Sequence, residues 1–183
     1  MIQLYQNIRQ LRVLSHFFRD PFTSFHLREL ARTLEMDPMT LKRILDPLVD
    51  DGMLLFRVER GHHLFKANVD DIRFRYAKIQ YTIEVLSGSN MVKRIIDRDS
   101  SVTSIVLFGS AAKGMDGIDS DVDLLIISTR KKEHRVGKVL GKKVNIISAT
   151  PSEWSLIYEK DRPFYNEVLI HGIALHGRKP VVR

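Results

Sequence analysis

The most constraining feature of this sequence is a pair of short apolar runs separated by a polar loop. The first run covers residues 105–108, and the second, residues 124–127, follows directly after Asp121, Val122 and Asp123. Apolar runs of this length bounded by turn residues predict buried strands. Because side chains on a strand alternate between its two faces, we expect Asp121 and Asp123 on one face and Val122 in the core.

Two carboxylates on one strand face need a counter-charge. Asp121 and Asp123 would lie roughly 6–7 Å apart and, at an effective dielectric near 20, repel each other by about 2–3 kcal/mol. A divalent cation between them offsets this repulsion, and oxygen ligands favour Mg²⁺ or Mn²⁺. The alternative is that both residues merely cap a strand in a polar turn, which leaves the residues after the first strand unexplained.

Those residues suit an anion. Gly109 lets backbone approach a bulky group, and Ser110 offers a hydroxyl and an N–H. If residues 111–113 begin a helix, its N-terminal dipole also faces the anion, and Lys113 adds a positive charge. The loop does not contain the glycine and lysine spacing of a Walker A motif. Phosphate held on one side and metal on the other is the arrangement used for nucleotidyl transfer.

The segment GSAAKGMDGIDSDVDLLI resembles the nucleotidyltransferase superfamily related to DNA polymerase beta, especially its minimal prokaryotic members. The resemblance extends over roughly residues 90–177. It implies transfer of a nucleoside monophosphate from a triphosphate, with ATP the expected donor, to a hydroxyl of a protein, an RNA end or a small molecule. Some members act as antitoxins. The resemblance assigns catalysis and metal binding to Asp121 and Asp123, and phosphate binding to Gly109, Ser110 and Lys113, where many members have arginine.

One position departs from that family pattern. The third strand of the resembled family carries another carboxylate, and KKVNIIS has Asn145 there. An amide oxygen can ligate a cation but brings no charge and accepts no proton. Asp116, Asp119 or Glu153 are candidates to replace the missing carboxylate in space. The alternative to an enzyme is therefore a nucleotide-responsive transcriptional regulator without turnover, in which Asn145 marks a retired active site.

The first part of the chain predicts three helices followed by a β-hairpin. Helical spacing covers residues 1–19, a second helix is capped by Thr23 or Ser24, and a third begins at Asp37 and Pro38. Pro47 should kink the third helix. The strands are residues 54–59 and 63–67, joined around Gly61. This pattern resembles a winged helix-turn-helix domain.

The resemblance to winged helices implies double-stranded DNA as a partner, with the third helix in the major groove and the hairpin near phosphates. The candidate contacts are Met39, Thr40, Lys42, Arg43, Arg57, Arg60, His62, His63 and Lys66. The alternative is a solvated charged face used for protein contacts.

A long helix is expected over residues 69–86, capped by Asn68. A heptad-like seam of apolar residues runs along it, at Ile72, Tyr76, Ile79, Ile83 and Leu86. A second apolar row, Phe74, Tyr81 and Val85, predicts that the helix bridges two domains and also pairs with a second copy. Burial within one chain is the alternative to a homodimer.

The remaining elements complete an α+β fold class. We expect a winged helix-turn-helix at residues 1–68, a connecting helix at 69–88 and a nucleotidyltransferase-like mixed sheet flanked by helices at 89–183. In the last part, Asn90 should cap a helix, and residues 144–147 form a third strand. Thr150 to Glu153 form a capping box, followed by a helix over 164–170 and a strand over 173–175. Trp154 is expected to pack in the core.

Composition limits the remaining possibilities. The net charge of +7 divides into +2 for residues 1–88 and +5 for 89–183, so the more basic half carries the phosphate chemistry. A basic run over residues 130–143 is either a solvated surface or an attractor for a triphosphate or nucleic acid. The absence of cysteine fits a protein of the reducing cytoplasm. The spacing of the histidines argues against a zinc site. Neither a signal peptide nor a membrane-spanning helix is expected.

Overall fold

The computed structural model describes residues 2–139 and 141–182 of the chain. The chain divides into two units, Met1–Tyr81 and Thr82–Arg183, which have separate β-sheets. The first sheet is antiparallel and three-stranded, and the second is mixed and four-stranded. The α+β fold class is therefore confirmed. None of the helices in the described ranges has the length and apolar character to cross a membrane.

The first unit contains both helices and strands. In chain order they are α1 Ile2–Asn7, α2 Arg9–Arg19, β1 Ser24–His26, α3 Leu27–Thr33, α4 Pro38–Asp50, β2 Leu54–Glu59, β3 His62–Ala67 and α5 Ile72–Gly88, which continues into the second unit. Strand β3 lies between β1 and β2. Buried side chains of this unit include Phe17, Leu30, Leu41, Leu45 and Phe65.

Two predictions for the start of the chain are wrong. Residues 2–19 form two helices because the backbone at Ile8 is extended, with φ −95° and ψ 113°. Residues Ser24–His26 form a strand, with Ser24 opposite Lys66, so α3 begins at Leu27 and neither Thr23 nor Ser24 caps it. A three-residue strand whose partner lies about 40 positions away leaves no periodic signal in the sequence.

The third helix of the prediction is α4. The Asp37 carboxylate accepts hydrogen bonds from the N–H groups of Met39 at 2.9 Å and Thr40 at 3.0 Å, which confirms the expected cap. Leu41 and Leu45 are fully buried. The helix continues past Pro47 to Asp50. The predicted hairpin is confirmed as β2 and β3.

The long helix α5 begins later than predicted and is capped by a different residue. Asn68 donates its side-chain amide to the Gly52 carbonyl at 2.8 Å. The Asp71 carboxylate instead accepts from the N–H groups of Arg73 at 2.8 Å and Phe74 at 3.1 Å. Phe74 is buried against Phe18, with ring centroids 5.2 Å apart.

The second unit packs helices against a sheet of order β6-β5-β4-β7. The elements after α5 are α6 Met91–Arg98, β4 Val102–Phe108, α7 Gly109–Ala112, β5 Val122–Ser128, β6 Val144–Ala149, α8 Pro151–Lys160, α9 Arg162–His171 and β7 Ile173–Gly177. Strand β4 is antiparallel to β5 and β7, and β5 is parallel to β6. A core cluster joins the sheet to α8 and α9 through Val106, Phe108, Leu125, Ile127, Ala149, Trp154, Tyr165 and Val168.

Of the two helix caps predicted in this unit, the cap of α8 is present and the cap of α6 is not. The capping box of α8 is confirmed, since Thr150 and Glu153 exchange both hydrogen bonds. Trp154 is buried beside Tyr165, as predicted. Asn90 adopts a left-handed conformation with φ 55° and makes no side-chain cap, so the predicted cap of α6 is wrong. The Ser89 hydroxyl accepts from the Met91 N–H at 3.2 Å instead.

The Asp71 cap generates a prediction about pH. Its side-chain hydrogen bond with Arg73 lowers the pKa of Asp71 to about 2. A depressed carboxyl pKa contributes stability that is present above the unfolded-state value and is lost as pH falls towards the folded-state value. We expect Asp71→Asn, which preserves a capping oxygen, to be less stable than wild type at pH 5 and to converge with it as pH approaches 2. Urea denaturation across this range measures the difference.

Asp70→Asn is the matched control, since it removes the same charge from the exposed neighbouring residue. A wild-type advantage over Asp71→Asn that is independent of pH would show that the lowered pKa of Asp71 does not contribute to stability.

Candidate active site

Strand register brings the three predicted metal-binding side chains to one place. Asp123 in β5 is opposite Phe108 of β4 on one side and Asn145 of β6 on the other. Asp121 lies immediately before β5. Val122 between the two aspartates is buried, as strand alternation predicts.

A single amide group connects the two carboxylates. The Asn145 Nδ2 atom donates to Asp121 Oδ2 at 2.9 Å and to Asp123 Oδ1 at 3.3 Å. The carboxylates therefore converge on one point, and that point holds a hydrogen-bond donor. Within the described ranges, neither aspartate forms an ion pair with lysine or arginine.

Gly109 lies against the same carboxylate pair. Its φ of 71° is left-handed, and a Cβ atom added there would meet Asp123 Oδ2 at 2.6 Å. Only glycine satisfies both conditions without displacing the carboxylate. The glycine–serine corner predicted from the sequence and the aspartates thus adjoin each other.

The helix after this corner is short, and its lysine is already paired. Helix α7 has four residues and ends before the predicted residue, Lys113. Lys113 Nζ lies 3.0 Å from Glu167 Oε1 of α9, with both side chains about one-third exposed. The Glu167 partner gave no signal in the sequence because it is more than 50 residues away.

A buried ion pair anchors the loop between α7 and β5. Lys142 Nζ contacts Asp116 Oδ2 and donates to the Gly117 carbonyl at 2.6 Å. Both side chains are about 95% buried. The basic run over residues 130–143 thus contains one lysine that supports the loop, which its composition alone did not reveal.

The candidate replacements for a third carboxylate have other positions or partners. Asp116 pairs with Lys142, and Asp119 is exposed in the loop. Glu153 caps α8, and a hydrogen bond from Lys131 holds its pKa below the usual range. The described part of the chain contains no group of three or more His, Asp or Glu side chains that could hold a metal.

The oxygen ligands of this site fit a divalent cation, although they carry less negative charge than three carboxylates would. Asp121 and Asp123 provide convergent carboxylate oxygens, and rotation of the Asn145 side-chain amide would turn its oxygen towards them. Relative to three carboxylates, this set lacks one negative charge.

A family comparison covers this part of the chain. Residues 89–173 match the family model of a nucleotidyltransferase domain. The match spans a little under half of the 183 residues and includes Gly109, Asp121, Asp123 and Asn145. The sequence resemblance to nucleotidyltransferases is therefore confirmed for this segment, which we call the nucleotidyltransferase domain. No curated protein sequence matches the chain.

The residues predicted to contact DNA lie outside that match, in two groups. In α4, Met39 is 62% exposed and Arg43 is also exposed. Thr40 is half-buried, and Lys42 forms an ion pair with Asp46 at 2.6 Å. Helical geometry places this group on one face of α4, which combines the apolar Met39 with polar and basic side chains.

The second group surrounds the hairpin. Arg57 pairs with Glu59 at 3.1 Å, and Arg60 occupies the turn with φ 49°. His62 begins β3, while Lys66 lies at the other end of that strand, opposite Leu55. Lys66 is thus separated from the turn. Sequence reasoning missed a cavity of about 740 Å³ beside the turn, whose polar lining includes His26, Arg28, Glu29, Arg32, His62 and His63.

The contact at Gly109 yields a matched prediction. We expect Gly109→Ala to lower the free energy of unfolding by roughly 1–3 kcal/mol more than Gly141→Ala. Both positions have left-handed backbone, with φ 71° and 77°, but no described residue beyond the chain neighbours lies within 4 Å of a Cβ added at Gly141. Urea denaturation of the two variants measures the cost of displacing Asp123, and equal losses would contradict the close packing.

Proposed function

We propose that the nucleotidyltransferase domain binds a metal-bound nucleoside triphosphate, with ATP the expected donor, and transfers its nucleoside monophosphate to an acceptor hydroxyl. The observation that carries the proposal is the convergence of two carboxylates on the Asn145 amide beside the Gly109 corner. A hydrogen-bond donor at the shared point indicates where a cation would be favourable. The residue types at the site and the family match both support nucleotidyl transfer.

The reaction divides among a few residues. Asp121 and Asp123 would hold Mg²⁺ or Mn²⁺, with Asn145 contributing an amide oxygen, and the metal would supply charge neutralisation for the triphosphate. Gly109 and Ser110 would bind phosphate oxygens through backbone and hydroxyl groups. The acceptor oxygen forms a bond to the α-phosphorus, the bond to the bridging oxygen breaks, and pyrophosphate leaves.

Two further roles are the acceptance of the acceptor's proton and the binding of phosphate by a lysine. Asn145 cannot accept the proton of the acceptor hydroxyl, so an aspartate of the pair or water takes it. Lys113 would bind phosphate by exchanging its contact with Glu167 for one with the ligand. The acceptor class is a protein, an RNA end or a small molecule.

A regulator without turnover is the second candidate, and Asn145 favours it. With two carboxylates and an amide, the site carries less negative charge than a three-carboxylate site. The lower charge weakens binding of the metal ion nearest the acceptor. In this alternative, nucleotide is a ligand that controls an attached DNA-binding domain.

Labelled triphosphates with Mg²⁺ separate the two candidates. We expect wild type to transfer label to an acceptor or to release pyrophosphate, Asp121→Ala to lose this activity, and Asn145→Asp to increase it because a third carboxylate is added. Asp119→Ala, a neighbouring exposed aspartate, is the control. Saturable nucleotide binding with no turnover in any variant contradicts the enzyme and supports the regulator.

We infer that residues 1–68 form a winged helix-turn-helix that binds double-stranded DNA and regulates transcription in the cytoplasm. The element order from α2 to β3 and the exposed Arg43 on α4 support this inference. The cations for phosphate contacts would come from α4 and the hairpin, and such contacts would position the domain on the duplex.

The first turns of α5 support pairing with a second copy. Ile72 and Tyr76 are 54% and 65% exposed and lie one turn apart. Exposed apolar residues with helical spacing fit the proposed homodimer. Sedimentation of wild type only as a monomer would contradict the pairing.

The DNA proposal is tested by the salt dependence of binding. We expect Arg43→Gln to weaken duplex binding about eightfold at roughly 0.1 M salt and to reduce the log–log slope by about 0.9, the values for one lost phosphate contact. Arg9→Gln, an exposed arginine in α2, is the matched control. Equal behaviour of both variants in fluorescence anisotropy would show that α4 does not contact the duplex.

A further inference from the structure

The nucleotidyltransferase domain also contains a cavity, which is lined mainly by cationic side chains. It has a volume of about 430 Å³ and lies between α6 and the irregular segment 132–137. Its charged and polar lining consists of Arg94, Arg98, Lys132, Glu133, His134 and Arg135. Four of these residues are cationic and one is acidic, so the cavity attracts anions.

Specific contacts hold the irregular segment against α6. Lys132 Nζ donates to the Arg98 carbonyl at 2.9 Å. His134 Nε2 lies 3.5 Å from Asp99 Oδ2, and the two side chains are only 5% and 8% exposed. The Asp99 carboxylate in turn accepts hydrogen bonds from Ser101. These contacts position the wall of the cavity that residues 132–137 form.

The cavity lies at the far end of the sheet from the aspartate pair. Strand β4 begins near Asp99 and ends at Phe108, next to Gly109, and β5 begins beside Asp121 and ends at Ser128. Each strand has seven residues, which corresponds to roughly 20 Å. A triphosphate bound at Asp121 and Asp123 therefore does not fill the basic cavity.

The chemistry of the lining favours phosphates in a chain. Arginine presents a planar fork of donors that matches phosphate oxygens. Arg94 and Arg98 lie one helical turn apart and face the same cavity, as successive charges on a polymer require. Among the described residues, the rest of the lining is Ile95, Val136 and Gly137, and a protein partner normally needs a larger apolar centre.

We propose that this cavity binds the phosphate backbone of a single-stranded nucleic acid, at a site separate from the nucleotide site. The proposal does not depend on nucleotidyl transfer or on the winged helix. It gives the domain a position for a strand whose phosphates contact Arg94 and Arg98.

Binding of labelled single-stranded RNA by the full chain tests the proposal. All proteins carry Arg43→Gln, so that the contribution of α4 is reduced. We expect Arg94→Gln with Arg98→Gln to weaken binding about 25-fold at roughly 0.1 M salt and to reduce the log–log slope by about 1.4, the values for two single-strand contacts. Lys138→Gln with Lys160→Gln removes the same charge from exposed positions outside the cavity and should have little effect.

Arg135→Gln should leave folding intact, because the side chain is 91% exposed and its ion pair with Glu133 at 3.3 Å lies at the surface. It should weaken binding about fivefold. Inorganic phosphate should compete only weakly with RNA, and an acidic peptide should not compete. Equal losses in the two double variants, unchanged binding in all of them, or stronger competition by the peptide would overturn the proposal.

Discussion

The architecture of the candidate site depends on one hydrogen-bonded amide between two carboxylates. Asp121 and Asp123 reach the same Asn145 nitrogen because β5 and β6 are parallel and place Asp123 beside Asn145. Two carboxylates this close repel each other, and the amide dipole offsets part of that repulsion. A cation would offset more of it, so the same geometry that the amide stabilises also favours metal binding.

The rest of the domain supports this arrangement from both sides. Strand β4 delivers Gly109 into contact with the Asp123 carboxylate, and left-handed backbone at Gly109 makes the approach possible. The Lys142–Asp116 pair, buried under the loop, fixes the chain before it enters β5. A buried pair of this kind costs several kcal/mol when one partner is removed, so the loop is not free to rearrange independently.

Local signals in the sequence predicted the parts of the fold that short segments determine. The apolar runs around the aspartates, the Thr150 capping box and the Asp37 cap depend on residues within a few positions of each other, and all were found. Partners distant in sequence could not be predicted, which is why β1 and the Lys113–Glu167 pair were missed. The same limit applies to Lys142, whose position in a basic run suggested solvent.

The site shows the same division. Strand alternation predicted that the aspartates share a face, and the family pattern located Asn145, but neither could say which way its amide turns. Its orientation depends on the carboxylates of a neighbouring strand.

A crystal structure with Mn²⁺ and a non-hydrolysable ATP analogue tests the central claim most directly. We expect an anomalous Mn²⁺ peak between Asp121 and Asp123, with the Asn145 amide oxygen turned towards it and triphosphate oxygens at Gly109 and Ser110. Two results would contradict the proposed metal site. One is a nucleotide bound elsewhere, and the other is an Asn145 amide that still donates to both carboxylates with no metal between them.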